Sequence, residues 1–267
     1  MAKLYIVGTP IGNLGDITLR ALDTLKSADI IACEDTRHSL QLLNHYDIHS
    51  QLVSYHKFNE AECSDRLIAL IRDGKNVALI TDAGMPSISD PGAEVISKCR
   101  KEGVEIEVVP GATAVASAIA LSGIKCSGFT FLGFLPEKSV DKVAVLSKLA
   151  GNGLPIVIYV APHDLYKTAS QLLDILGDRV VYVVREITKL YESVTETSLA
   201  NFEAEERGEI VMIIEGATLI NPLNSLSVAE HIKHYISLGV DKKEAVKKVA
   251  TDRGLPKNEV YQQALDI

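Results

Sequence analysis

The feature that most limits what this chain can fold into is a repeated order: a short apolar run, a turn, then a helical pattern. "KLYIVG" precedes "DITLRALDTLKSA", where Ile17, Leu19, Leu22 and Leu25 recur at helical spacing. "DIIACE" precedes "SLQLLNHY", and "NVALIT" precedes "GAEVISKCRKEG", which leads into "VEIEVVP". "AECSDRLIALIRDG" is an amphipathic helix closed by Gly74, a residue suited to a left-handed helix end. Apolar runs this short stay buried on both faces only when helices cover both sides. The alternation therefore predicts an α/β chain whose first sheet is mostly parallel.

A second αβ block follows. "FTFLGFLP", "LPIVIYVAP", "DRVVYVVREI", "LYESVTE" and "GEIVMIIEG" read as strands, with "KVAVLSKLA" and "DLYKTASQLLDILG" as helices. "TLINPLN" reads as a linker. Beyond it come three short helical patterns separated by Gly239 and by Gly254-Leu255-Pro256, and the last two resemble a helix-turn-helix unit. The expected division is an N-terminal α/β domain over 1–120, a second α/β domain over 121–220, and a helical tail over 221–267.

Composition narrows the function classes. With 267 residues, 47% hydrophobic and 23% charged, the chain has the mix of a soluble globular protein. No run approaches the roughly 18 uncharged apolar residues of a membrane span. The start, "MAKLYIVG", enters a strand directly and Gly-Thr-Pro interrupts the apolar run, so no signal peptide is expected. Cys33, Cys63, Cys99 and Cys126 are widely spaced and read as buried free thiols of a reducing cytosol. The net charge is −8, which disfavours a large nucleic-acid footprint over the whole surface. Residues 230–257 differ, with seven Lys/Arg against four Asp/Glu.

In open α/β sheets ligands gather beyond the carboxyl ends of the strands, so the turns there matter most. "GTPIGNLGD" is not a phosphate loop, because no Lys-Ser or Lys-Thr follows. Gly8, Gly12 and Gly15 also miss the dinucleotide spacing, and Pro10 lacks a backbone N–H. It reads equally as a tight turn with Asp16 as N-cap. "TDAGMPSISDPG" is a long turn whose Asp90 and Pro91 suit the N-cap and first position of the next helix. "VPGATAVASAIALSG" places small residues near a helix start, suiting close approach of a neighbour or a ligand. "EDTRH" reads as a capped helix start that leaves Arg37 unexplained, and "REITKLYE" as a solvated charged face. The spacing of His38, His45, His49 and His56 invites a metal reading, but Asp47-Ile48 looks like a helix end, His56 lies past the next strand and no H-E-x-x-H is present, so no metal is expected. No G-x-S-x-G is present to support a hydrolase triad.

Together "YIVGTPIGNLGDIT", "EDTRHS", "TDAGMPSISDPG", "VPGATA", "GFLPEK" and "REITKLYE" resemble, in order, the ribosomal RNA small-subunit methyltransferase I family of the tetrapyrrole-methylase superfamily. The resemblance covers about residues 3–217, and the C-terminal helices look like that family's appended domain. It implies S-adenosylmethionine (SAM) bound between two α/β domains of a cytoplasmic homodimer. It also implies methylation of the ribose 2′-hydroxyl of a cytidine in the decoding region of small-subunit rRNA. By motif position the cofactor contacts are Pro10, Gly84, Met85, Ser87, Ile88, Thr113, Ala114, Tyr159, Gly216 and Ala217. Glu34, Asp35 and Glu186 are candidates for a general base, and Arg37, Arg185 and Lys189 for phosphate contacts. The sequence departs from the family pattern at Asp164, Lys142, Val143 and Phe58, changes that remove potential phosphate contacts. The basic C-terminal helices are expected either to dock on the small ribosomal subunit or to serve as a lid or dimer element. Two alternatives are a relative acting on a small tetrapyrrole and a non-catalytic RNA-binding module.

Overall fold

The computed structural model describes residues 2–218 and 222–264. Leu219, Ile220 and Asn221 of the expected linker lie outside the described residues, as do 265–267. The chain forms two compact units, Met1–Ala217 and Thr218–Ile267.

In the first unit, strands β1 (Leu4–Val7), β2 (Ile30–Cys33), β3 (Gln51–Ser54), β4 (Val77–Leu79) and β5 (Ile106–Val109) form one sheet. Its order is β3-β2-β4-β1-β5 and every pairing is parallel. Helices α1 (Leu19–Ser27), α2 (Thr36–His45), α3 (Glu60–Arg72) and α4 (Ala93–Lys101) cover it. Successive side chains of a strand point to opposite faces. Ile30, Ala32, Val77 and Leu79 accordingly meet Leu67, Ile68, Val95 and Cys99 of α3 and α4. Ile31, Cys33 and Ala78 meet Leu25 and Leu43 of α1 and α2 on the other face. The central runs β2 and β4 are apolar and wholly buried because both faces are covered, whereas the edge strands β3 and β5 carry Gln51, Ser54 and Glu107.

Strands β6 (Thr130–Phe134), β7 (Ile156–Val160), β8 (Val180–Arg185), β9 (Ser193–Ser198) and β10 (Ile210–Ile214) form a second sheet ordered β6-β7-β10-β8-β9. Only β6–β7 is parallel; β10 lies antiparallel between β7 and β8, and β9 is antiparallel to β8. α6 (Ser139–Ser147) and α7 (Leu165–Leu176) cover one face. The other face is covered by α5 (Ala114–Ser122), which follows the first sheet in sequence. Its Ala118 is wholly buried among Val157, Val184, Val211 and Ile213. Small side chains let α5 lie close to the second sheet, so this helix fastens the two halves.

Four local expectations are corrected. Asp16 caps no helix: Asn13 caps a short 3₁₀ turn over Leu14–Asp16, and Thr18 caps α1 by accepting from the Ala21 N–H at 3.0 Å. Extended backbone at Ile17 separates Asp16 from the helix. The N-cap of α4 is Gly92 rather than Asp90. Cys126 is exposed, whereas Cys33, Cys63 and Cys99 are buried. The strand expected at Leu190 begins only at Ser193, after an exposed Leu190 and Tyr191.

The second unit holds α8 (Val228–Ser237), α9 (Lys242–Arg253) and α10 (Lys257–Gln262) around its own core of Val228, Ile232, Val246, Val249 and Val260. A capping box of Ser227 and Glu230 starts α8. Lys242, Lys243, Lys247 and Lys248 lie on the exposed side of α9, opposite buried Ala245, Val246 and Val249. His231 is fully buried against Tyr235, accepts from Arg253 Nε at 3.2 Å, and sets Nε2 3.3 Å from Asp252. No helix among the described residues is long and apolar enough to cross a membrane.

Candidate functional site

Parallel strands send all their following loops to one end of the sheet, and here those loops interlock. The Thr9 N–H donates to the Gly84 carbonyl at 2.9 Å and Gly84 returns the bond at 3.2 Å. The Thr9 hydroxyl reaches the Thr81 carbonyl at 3.0 Å. Buried Pro10 therefore lies beside the loop that carries Gly84, Met85, Ser87 and Ile88. A Cβ on Gly8 would meet Gly111 Cα and Met85 Sδ at 2.7 Å. The glycine of the opening turn thus serves loop-to-loop contact, which explains why its spacing matches no phosphate motif. Ser87 has φ +65°, and its N–H donates to the Pro91 carbonyl at 3.3 Å, folding the loop back on itself.

Across the loops stands the start of α5. Thr113 caps it, accepting from the Ala116 N–H at 3.3 Å, and Ala114 is its first residue. Tyr159, at the end of β7, packs edge-on against Phe131 and Phe134. Burial, then the nearby Asp90 charge, push its hydroxyl up, against the Val115 N–H that favours the ionised form.

Gly216 and Ala217 do not join this group. The antiparallel register sets Val211 opposite Tyr159 and Ile214 opposite Ile156. Gly216 therefore lies at the far end of β7, roughly 17 Å along the strand from Tyr159. There its backbone touches Gly153, and the Ala217 N–H donates to the Asn152 carbonyl at 2.7 Å.

Glu34 and Asp35 follow β2. Burial, then Asp82 and Asp90, push the Glu34 carboxyl up, with His56 opposing. Asp35 behaves oppositely: bonds from the Arg37 side chain and its N–H hold it low, and it caps α2. The Arg37 side chain is 89% exposed. Asp82 follows β4 and accepts from the Asp35 N–H at 3.4 Å. Asp90 is pushed up by burial and then by Asp82, although the Thr81 hydroxyl counters. The charges of Asp82 and Asp90 thus act on Glu34, where the sequence pointed to Glu34 and Asp35. Asp82 was legible as an acid directly after a strand, but Asp90 was hidden by its resemblance to a helix cap.

Glu186 and Lys189 sit in the loop after β8, and both are engaged. Glu186 has φ +48° and its carboxylate accepts from the Glu209 N–H at 2.8 Å and from Lys189 Nζ at 3.1 Å. The Glu209 bond, and then Lys189, hold its proton affinity low. Burial opposes the charge on Lys189, and its bonds to Glu209 and Glu186 outweigh that. The Lys189 stem lies where a Cβ on Gly12 would be. Asn13 Nδ2 donates to the Thr188 carbonyl at 3.3 Å, and the Thr188 hydroxyl donates to Asp16. The opening loop is therefore latched to the second half. A cavity of about 620 Å³ beside the latch is lined by Ile11, Asp16, Ser117, Ile187, Thr188 and Glu192. Sequence reasoning passed over Asn13 and Thr188, whose role depends on chain segments far apart.

Arg185 is buried, bonded to the Arg207 carbonyl and to Glu205. Lys142 turns inward, donating to Gln171 Oε1 at 3.0 Å, while Val143 and Phe58 are exposed and Asp164 pairs with His163 at 3.5 Å. Among the described residues no three His, Cys, Asp or Glu side chains converge as metal ligands.

The family of Tetrapyrrole (Corrin/Porphyrin) Methylases matches residues 3–203. A relative from Halalkalibacterium halodurans, named ribosomal RNA small subunit methyltransferase I, is 44% identical over 97% of this chain and 93% of its own length. One of the same name from Bacillus subtilis is 43% identical over 98% and 93%. Among solved structures, a cobalt precorrin-4 methyltransferase superposes with TM-score 0.60 at 23% identity, over 80% of this chain and 94% of that one. A Thermus thermophilus uroporphyrin-III C-methyl transferase complexed with S-adenosyl homocysteine superposes with TM-score 0.56 at 21% identity, over 80% and 97%. At these identities the two structures share the fold.

Proposed function

We propose, for a chain that belongs to the ribosomal RNA small subunit methyltransferase I family of the tetrapyrrole methylases, that it methylates the ribose 2′-hydroxyl of a cytidine in the decoding region of small-subunit rRNA. The methyl donor is S-adenosylmethionine, which when bound supplies a methyl group on a positively charged sulfur. The observation that carries the reading is the Thr9–Gly84 bridge, which sets Pro10 beside the Gly84–Ile88 loop at the carboxyl end of the sheet.

The residues fit such a cofactor. The loop offers backbone groups at Pro10, Gly84, Met85, Ser87 and Ile88, and Thr113, Ala114 and Tyr159 stand opposite. Glu34, Asp82 and Asp90 supply negative charge that complements a sulfonium. We assign Gly216 and Ala217 to the packing of β10 rather than to the pocket.

The chain's share of the chemistry is to orient the ribose and to receive a proton. A ribose hydroxyl is a weak nucleophile at neutral pH, so an acceptor near its oxygen lowers the barrier. Orientation lowers it further by removing the search for geometry. Among the carboxylates expected there, Glu34 has the raised proton affinity suited to an acceptor, whereas Asp35 and Glu186 are held low. Asp35 fixes Arg37, and Glu186 fixes Lys189, so these pairs serve to hold loops and flanking phosphates. The exposed lysines of α9 suit rRNA backbone contact. The α/β halves divide near residue 120, and the protein acts in the cytoplasm as a homodimer.

The test is methyl transfer from labelled SAM to purified small ribosomal subunits, with the modified position mapped on the rRNA. One 2′-O-methylated cytidine is the expected product. Transfer to a precorrin but not to subunits overturns the substrate, and absence of SAM binding by calorimetry overturns the enzyme reading.

A further inference from the structure

The "GFLPEK" stretch opens on Gly133, where β6 changes register. Thr130 and Phe131 pair with Ile156 and Val157 of β7, but Gly133 and Phe134 pair with Ile158 and Tyr159. Leu132 is therefore one residue too many, a β-bulge. Gly133 takes φ +62°, a conformation open to glycine and rarely to other residues. The extra residue decides where Phe134 goes, because successive side chains of a strand alternate between the two faces of the sheet. In an unbroken register Phe134 would oppose Val160 and share the face of Ile156, Ile158 and Val160, which α6 and α7 cover. The bulge sets it opposite Tyr159 instead, on the α5 face with Phe131 and Val157.

There Phe134 completes an aromatic row. Tyr159 lies edge-on to Phe131 at 5.1 Å and to Phe134 at 5.5 Å between ring centroids. Phe131 is partly buried, but Phe134 is 66% exposed. Keeping a phenyl ring in water forgoes the burial that the α6 and α7 face would give it, so packing does not account for the bulge. The end of β6 also abuts the loop that carries Gly84 to Ile88, since a Cβ on Gly133 would come within 3.0 Å of Ser89 Oγ. Ile88 in that loop is exposed as well. An exposed ring, held by Tyr159, thus stands beside the loop assigned to the cofactor.

We propose that Phe134 is a stacking platform for an unstacked RNA base, that of the nucleotide to be methylated. This rests on the methyl-transfer reading above. A ribose within stacked RNA reaches a cleft at a strand end only when its nucleotide is splayed out, and aromatic side chains hold bases in that state. Every base has a π-face, so the platform supplies affinity and position without choosing among bases. Tyr159, assigned to the cofactor, is the ring that Phe134 rests against, so a base on Phe134 keeps its ribose next to the methyl donor.

The test uses the full chain, SAM and purified small subunits. Phe134→Ala should raise KM for subunits about tenfold, the loss of one stacked base. Its kcat should change less than about threefold, because the platform holds ground state and transition state alike. Phe134→Trp and Phe134→Tyr, which keep a π-face, should leave KM close to that of the wild type. Phe134→Leu, which keeps apolar area without a π-face, should behave like Phe134→Ala. The ring is exposed, so Tm and the calorimetric SAM affinity should be unchanged in every variant. An active wild type with an unchanged KM in Phe134→Ala overturns the platform, as does full rescue by Phe134→Leu. Weakened SAM affinity at unchanged KM overturns it by assigning the ring to the cofactor. A mass below that of the wild type in light scattering overturns it by assigning the ring to a second copy of the chain. A wild type that binds SAM but does not methylate subunits overturns the substrate reading, and the platform with it.

Discussion

Gly216 leaves no room for a side chain, because an added Cβ would run into the Gly153 carbonyl and the Leu154 N–H, both backbone. Gly216→Ala should destabilise the protein by about 1–3 kcal/mol while SAM affinity, measured below the melting range, stays unchanged. A loss of affinity without a fall in Tm would instead return Gly216 to the pocket. Arg179 is a second fixed point. Its buried guanidinium donates to the carbonyls of Leu176 at 3.2 Å, Glu215 at 3.2 Å and Ala150. Arg179→Met should cost about 2–3 kcal/mol in denaturant unfolding, since buried carbonyls lose their donor. The raised carboxyls act in the other sense. Folded Glu34 holds its proton more tightly than the unfolded chain does, so stability falls as pH rises through the interval between the two pKa values. Glu34→Gln should therefore raise Tm at about pH 7 and change it little at about pH 3. At this scale the sequence was readable for position and misleading for role. Asp16 and Asp90 both have the local look of helix caps. One bonds Thr188. The place of the other at α4 is taken by Glu60, which accepts from the Gly92 N–H, and Tyr55, which accepts from the Val95 N–H, partners that no local preference can register.

At the scale of elements, amphipathic helices were the most readable, because their apolar stripe answers to a sheet face whatever the topology. The parallel first sheet followed from runs too apolar to have a wet side. The directions of the second sheet did not follow, since similar apolar runs serve β7, β8 and β10 whether neighbours run parallel or antiparallel. That the Pro10 turn and the Gly84–Ile88 loop follow strands was readable in the sequence; that they bridge through Thr9 and Gly84, and that Asn13 and Thr188 latch the opening loop, was not. Tyr55→Phe tests the Tyr55 hydroxyl as an acceptor for α4. It strands the Val95 N–H inside the protein and should cost about 1–3 kcal/mol, with hydrogen exchange rising first in the opening turn of α4. Exchange spread evenly over the first sheet would argue that Tyr55 serves packing alone.

At the scale of the molecule, the helical unit carries its own core and caps. Removing 222–267 should leave the Tm and SAM affinity of the remaining chain nearly unchanged. Binding to small subunits should weaken, with a shallower salt dependence because fewer phosphates are neutralised. Unchanged subunit affinity would count against RNA docking by these helices.

The place of β10 has a consequence for how the protein is made. The five strands of the first sheet are all synthesised by Val109, so that sheet can assemble while most of the chain is still to come. The second sheet has no such freedom: its central strand is the last one translated, and until Ile214 is available β7 and β8 face an open slot. Two unpaired apolar edges are then exposed on the ribosome, the condition that invites wrong pairing and chaperone capture. Nascent chains halted between β9 and β10 should therefore bind hydrophobic holdases far more strongly than chains halted just beyond the second sheet.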